Sequence, residues 1–487
     1  MQLKVTFVQV NKLGYFKLSV LYSALAALPP VLQLLVQPLI EGKGRLNAID
    51  FSQIGIAEQV TALAFTLVLF SMSAALTRFY YDVEDDQEKY NKMVSGTLIS
   101  ILFRGLIVLI VAFVFQDFIG QVFSQTALQD FGNYGLLAVG IGINRAIHMT
   151  ATALYRNEKK VGAFVSANVS LALLRSAFQV IGVLYWDMSF IGYLYGSLIG
   201  SSIVTLVILL YSFKKCGWSY DRDFMRPMYE FAHPLFQYAL VSWALYFVDK
   251  YFLESSPKTL GIYITAMNFA NGLQLIIQGV QSATQPEVFR YLKLGLKENI
   301  QSIRSLGNML IVQTQMLLIL AILPIIFYID FSFETEIKEA ASFVAIILIR
   351  FIPRAQYFVF SFILFYEKKT KVLSYLNLLN LLVAIVLNYL LIPILGIYGV
   401  IVSVLVAECI LAWGVAYYAH QHFKMDWNWM KVMVVPTVVM FGVMTLELIK
   451  IQYQISAFTM GLLVTLWMLV GIAISYRVEF TKVVFRR

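Results

Sequence analysis

Charge, histidine and cysteine are all scarce in this chain of 487 residues: 13% of positions are Asp, Glu, Lys or Arg, four are histidine and two are cysteine. Cys216 closes one hydrophobic stretch and Cys409 lies inside another, a pattern that fits neither a disulfide framework nor a zinc site. No His/Cys/Asp cluster has ligand spacing, and no nucleophile has a base within reach. Gly42-Lys43-Gly44-Arg45 lacks the Walker spacing, so an ATPase within this chain is excluded and neither cofactor nor metal is implied. There is also too little polar sequence to cover a soluble domain.

What fills the chain instead is apolar: 60% of residues are hydrophobic and the mean hydropathy is +0.75. At about 20 apolar residues per bilayer crossing, this length holds about fourteen crossings and no large catalytic domain outside the membrane. Runs bounded by charge, Pro/Gly or Asn/Asp fall at 14–40, 54–77, 93–115, 131–153, 162–185, 189–213, 229–253, 260–283, 305–329, 337–364, 372–392, 397–419, 430–449 and 455–476. The first is interrupted by Pro29 and Pro30 and lacks a cleavage pattern, so it reads as a retained, kinked helix rather than a signal peptide.

Basic residues set the orientation. With the N-terminus in the cytoplasm, 26 Lys and Arg fall on the cytoplasmic side, beginning with Lys4, Lys12 and Lys17, and 6 on the other. Both termini are therefore expected in the cytoplasm, and the net charge of +9 belongs to membrane topology rather than to nucleic acid. The remaining five, Arg104, Arg145, Arg175, Arg350 and Arg354, lie inside hydrophobic segments.

Two stretches 209 residues apart read alike. Asn144-Arg145-Ala146 precedes Leu154-Tyr155-Arg156-Asn157-Glu158-Lys159-Lys160 and a hydrophobic pair broken at Ile191-Gly192. Pro353-Arg354-Ala355 precedes Leu364-Phe365-Tyr366-Glu367-Lys368-Lys369 and a pair broken at Ile397-Tyr398-Gly399. A weaker match joins Ile54-Gly55-Ile56 to Leu260-Gly261-Ile262. The expectation is an all-α polytopic membrane protein with two six-helix lobes, residues 1–220 and 221–425, followed at 426–487 by two further helices and a cytoplasmic tail. Six crossings per lobe place the pseudo-two-fold axis along the membrane normal, around a central cavity.

A charge at mid-membrane normally faces protein, water or a partner. Arg104, Arg175 and Arg350 read as near mid-depth, and Arg145 and Arg354, nearer the cytoplasmic side, occupy equivalent repeat positions; the basic excess over the few acidic residues at that depth points to an anion in the cavity. Each could equally pair with carbonyls or carboxylates. In the eighth segment Asn268, Asn271, Gln274, Gln278, Gln281 and Gln285 recur at helical spacing and form one polar stripe, suited to sugar hydroxyls or to interhelical hydrogen bonds. Gln33 and Gln37, with Glu41 a turn further, form a shorter stripe. Asp249, Glu408 and Glu447 are the acidic candidates for ion coupling. Gly192, Gly196 and Gly200 read as a close helix-packing series.

Phe247-Val248-Asp249-Lys250-Tyr251-Phe252-Leu253, Leu260-Gly261-Ile262-Tyr263 and Ala283-Thr284-Gln285-Pro286 carry a resemblance. Thr77-Arg78-Phe79-Tyr80-Tyr81-Asp82 and the Gly-Ile-Tyr-Gly turn at Gly396 to Gly399 share it. Over nearly its whole length the chain resembles the polysaccharide repeat-unit flippases, which move O-antigen or capsule oligosaccharides on a polyprenyl pyrophosphate carrier. These belong to the superfamily that includes multidrug and toxin extrusion antiporters and lipid II flippases. The resemblance implies a bacterial cytoplasmic (inner) membrane location, alternating access, no enzymatic activity, and a lipid-linked oligosaccharide as cargo among membrane lipids. A polysaccharide polymerase and other assembly proteins are the implied partners. It also implies a cavity lined by segments one, two, seven and eight, whereas the five arginines lie on segments three, four, five and ten. Two other functions compete: an ion-coupled multidrug antiporter, which needs buried carboxylates more than arginines, and a membrane polymerase or glycosyltransferase, which needs a large outer loop.

Overall fold

The computed structural model describes residues 28–186, 188–367, 369–423 and 427–484. The first half of the first predicted segment, with Lys4, Lys12 and Lys17, and also Lys368 and Lys424, lies outside the described residues. Helix α1 (Leu28–Ile40) leads to α2 (Ala48–Leu69), α3 (Met72–Val83), α4 (Gln87–Val114) and the short α5 (Gln116–Gly120) and α6 (Thr126–Gln129). Then come α7 (Phe131–Asn157), α8 (Val161–Leu184), α9 (Ser189–Cys216), α10 (Arg222–Leu253), α11 (Pro257–Lys293) and α12 (Leu296–Ser332). A 3-10 turn (Glu336–Phe343) precedes α13 (Val344–Leu348), α14 (Phe351–Tyr366), α15 (Thr370–Leu395) and α16 (Ile397–His422). A π-helical turn (Met430–Val434) opens α17 (Val435–Tyr453), and α18 (Ala457–Val484) closes the described chain.

The protein is an all-α polytopic membrane protein. Among the described residues, eleven helical stretches are long and apolar enough to cross a bilayer, α2 and α3 together counting as one. Helices α7 and α10 have the length, 27 and 32 residues, but carry more polar side chains, among them Asn144, Arg145 and His148 on α7 and Arg226, Glu230 and His233 on α10.

Local chemistry sets the helix starts. Asn47 accepts from the amides of Ile49 and Asp50 while Asp50 reaches back to the Asn47 amide, a capping box that opens α2. Asp221 caps α10 by accepting from the amides of Asp223 and Phe224. Between α2 and α3, Phe70 and Ser71 both take positive φ, 49° and 56°. Such a conformation disfavours side-chain-bearing residues and must be held from outside. Phe236 of α10 does so by stacking on Phe70 at 4.4 Å. The Gly192, Gly196 and Gly200 series behaves as expected: a Cβ at these positions would lie 2.1–2.7 Å from backbone atoms of α8, so α8 and α9 touch backbone to backbone.

The buried apolar residues form three clusters with different memberships. The largest spans the chain, joining Ile40, Leu46, Phe51 and Ile56 to Leu260, Tyr263, Ile329, Phe333 and Ile401. A second is confined to residues 68–232 and a third to residues 288–433. The first and second parts of the chain thus share a core at one end, the end with few basic residues, and at the Lys/Arg-rich end there are two cores, the one on the first part including Met225, Met228 and Ala232 of α10.

Candidate functional site

Four of the five intramembrane arginines fall into two polar clusters, each built around one carboxylate. In the first, Glu58 of α2 accepts from Gln33 Nε2 of α1 at 2.8 Å, and the same Gln33 nitrogen lies 2.7 Å from Tyr193 Oη of α9. Arg175 of α8 stands 4.0 Å from Glu58. Arg145 of α7 stays within electrostatic reach of both, with its guanidinium 4.8 Å above the Phe65 ring. Arg145 is exposed, and among the described residues no acceptor hydrogen-bonds it.

The second cluster lies on α10, α11, α14 and α16. Glu408 is 3.6 Å from Arg350 Nη2 and 3.9 Å from Arg354 Nη1. Arg354 Nη2 donates to Tyr246 Oη of α10 at 2.9 Å, and Gln274 Nε2 of α11 donates to the same oxygen at 3.4 Å. Arg350 is buried against Met267, with its Nε unpartnered. The clusters approach each other where α2 meets α10. There Trp243 Nε1, one turn from Tyr246, donates to the carbonyl of Gln59, next to Glu58, at 2.9 Å.

These separations decide the chemistry. A guanidinium hydrogen-bonded to a carboxylate sits at about 2.7–2.9 Å; the three pairs here, at 3.6–4.0 Å, are attracted but not hydrogen-bonded. Arg145, Arg175, Arg350 and Arg354 face Glu58 and Glu408, so two positive charges remain uncompensated while many N–H donors stay unfilled.

Among solved structures, the lipid II flippase MurJ in an inward closed conformation aligns with TM-score 0.65 at 15% identity, covering 95% of this chain and all of that one. A multidrug resistance MATE family transporter of the MOP superfamily, inward-facing, aligns with TM-score 0.64 at 14% identity over 83% of this chain and 94% of its own. A MOP superfamily transporter from Pyrococcus furiosus, described by the reverse polarity of its binding pocket, gives 0.58 at 14% identity over 83% and 95%. What these chains share is the fold. No known protein family and no curated protein matches the sequence.

The other predicted residues are placed differently. Arg104 of α4 donates through Nε to the carbonyl of Val68 beside the α2–α3 break at 2.8 Å and through Nη1 to Tyr229 Oη at 2.7 Å. That is an acceptor set for a structural cation. On α11, Asn271 and Gln278 are exposed, Asn268, Gln274 and Gln285 half-buried and Gln281 buried. Gln37 is buried with its Oε1 unpartnered. Asp249 is buried and accepts from Tyr263 Oη at 2.5 Å and from the Lys250 amide at 2.8 Å, with Lys250 Nζ at 3.4 Å. Glu447 is buried 3.0 Å from Lys450 Nζ. Sequence reasoning did not single out Tyr193, Tyr246 or Trp243, whose polar atoms matter only once α1, α2, α9 and α10 are brought together.

Proposed function

We propose that the protein is a flippase that carries a polyprenyl-pyrophosphate-linked oligosaccharide from the cytoplasmic to the outer leaflet, residues 1–220 and 221–425 moving as two lobes. The observation that carries this reading is the surplus of guanidinium groups, Arg145 above all, whose donors no protein carboxylate fills. A pyrophosphate offers the acceptors they lack. Arg145 and Arg175 would contact it from one lobe and Arg350 and Arg354 from the other, which gives the head group a reason to draw the lobes together. The open amides of α11 supply hydrogen bonds to sugar hydroxyls, each of which costs on the order of a few kcal/mol if carried unpaired through hydrocarbon. The prenyl tail stays in lipid. Arg104 is left out of this site because it bonds the Val68 carbonyl and Tyr229, which belong to neither cluster, and Asp249 and Glu447 because each lies buried against a lysine of its own helix.

A shared core at one end, and two cores at the basic end with α10 packing on the first of them, fit a molecule that opens toward the cytoplasm. The test is movement of a labelled polyprenyl-pyrophosphate oligosaccharide in liposomes. Arg145→Ala with Arg354→Ala is expected to slow it by about a hundredfold, the equivalent of about 2.7 kcal/mol. An unchanged rate in correctly inserted protein overturns the reading. The likeness to a MATE family transporter favours a second reading, antiport of organic cations. The sign of the site opposes it, since two of its four guanidinium charges are uncompensated. Transport of a lipophilic cation by purified protein, indifferent to lipid-linked sugars, would establish it.

A further inference from the structure

Two carboxylates outside the arginine clusters are buried almost completely, Glu41 at 1% exposure and Glu254 at 2%. Each follows the first helix of its half, Glu41 after α1 and Glu254 after α10. Each reaches across to the other half. Glu254 Oε2 accepts from the Ser124 amide at 2.8 Å and Oε1 from the Gln125 amide at 2.7 Å. Glu41 repeats this atom for atom: Oε2 accepts from the Glu334 amide at 2.9 Å, and Oε1 from the Thr335 amide at 2.6 Å and from the Thr335 hydroxyl. The receiving amides are 210 residues apart in both cases, in the loops that follow α4–α5 and α12. Gln125 Nε2 also returns a bond to the Glu254 carbonyl at 3.1 Å, and Gln125 Oε1 accepts from the Ser52 hydroxyl of α2 at 3.2 Å.

We infer that Glu41 and Glu254 are a pair of equivalent latches that hold the outer ends of the two halves together, and that the outer side opens only when both are released. A carboxylate with both oxygens on backbone amides is well satisfied. Pulling it away leaves two amides and a charge to be rehydrated, so each latch favours the closed outer side. Because each lobe supplies one carboxylate and one amide pair, neither lobe can swing alone without breaking both. The inference rests on the alternating-access reading, but its test needs no cargo, so failure of one is separable from failure of the other.

In a background carrying Cys216→Ala and Cys409→Ala, spin labels at Ala127 and Ser255, both exposed beside the Glu254 latch, report the separation of the halves by electron double resonance in liposomes. The unsubstituted latches should give one short distance distribution. Glu41→Gln, which touches only the distant latch, should still add a longer distribution at this one, raising the open-to-closed ratio about tenfold, and Glu41→Gln with Glu254→Gln about a hundredfold. Identical distributions in all three proteins overturn the inference. Hydrogen exchange of the unsubstituted protein tests it without any variant: the amides of Ser124, Gln125, Glu334 and Thr335 should exchange at one common rate, at least about tenfold slower than exposed loop amides. Four unrelated rates, or rates like those of the loops, overturn it equally.

Discussion

An arginine within a bilayer has to meet an acceptor, and the acceptors here differ from one cation to the next. Arg104 finds a carbonyl and a tyrosine; Arg175, Arg350 and Arg354 find carboxylates at arm's length; Arg145 finds an aromatic face. At the basic end, by contrast, Glu158 is fully engaged, by Tyr90 Oη at 2.5 Å, Lys160 at 3.0 Å and Lys215 at 3.4 Å. Burial raises its carboxyl, but the hydrogen bonds from Tyr90 and Lys160 and the charge of Lys215 outweigh that and bring it below the usual carboxylate value. A carboxyl so lowered stabilises the fold above its unfolded-state value and loses that contribution as pH falls through its folded-state value. Glu158→Gln is therefore expected to lower thermal stability in detergent by about 1–2 kcal/mol at pH 7, a difference that shrinks as pH drops below about 4. A constant difference across that range would contradict the assignment. The presence of unusual arginines was legible in the sequence. Their partners were not, because Glu58 and Glu408 lie more than fifty residues from the cations they face, and Tyr246 looks like any membrane tyrosine.

Among the helices, hydropathy was legible: the apolar runs from 54–77 onward fall largely on helix, as does the described part of the first, whereas the Asn47–Asp50 capping box that starts α2 at Ala48, ahead of the run read from 54, was not. The interruption at Phe70–Ser71 was not legible, since neither residue is the glycine or proline that usually announces one. It exists because α10 supplies a stacking ring and α4 an arginine to hold it. The repeat glycines have a physical role of a different kind. A Cβ on Gly261 would lie 1.8 Å from the Ala48 carbonyl, so α11 crosses the start of α2 with no room for a side chain. Gly261→Ala should force these helices apart and lower the thermal midpoint by several degrees, whereas Gly162→Ala, with nothing within 4 Å, should leave it within a degree or two. Equal midpoints for the two variants would show that the crossing yields easily.

For the whole molecule, the arrangement of cores, latches and charge tells one story. A continuous apolar core and two buried carboxylates tie the first and second parts of the chain at one end; where α2 meets α10 a tryptophan bond lies beside two arginine clusters; toward the basic end α10 packs on the first part through Phe236, Tyr229 and Met225, while residues 288–433 hold a core of their own. A head group entering from the basic end would meet uncompensated guanidinium groups halfway across the bilayer. The repeat in the sequence leads to an expectation of two halves, but the reciprocity of Glu41 and Glu254 was hidden, because a carboxylate after a helix reads as an ordinary loop residue until its amide partners are seen. The most direct measurement is equilibrium binding of a polyprenyl-pyrophosphate oligosaccharide to detergent-solubilised protein. Arg145→Gln is expected to weaken it at least about tenfold, while Gln281→Ala, on the buried edge of the amide stripe, leaves it within about twofold. Undiminished affinity in folded Arg145→Gln protein would contradict the account.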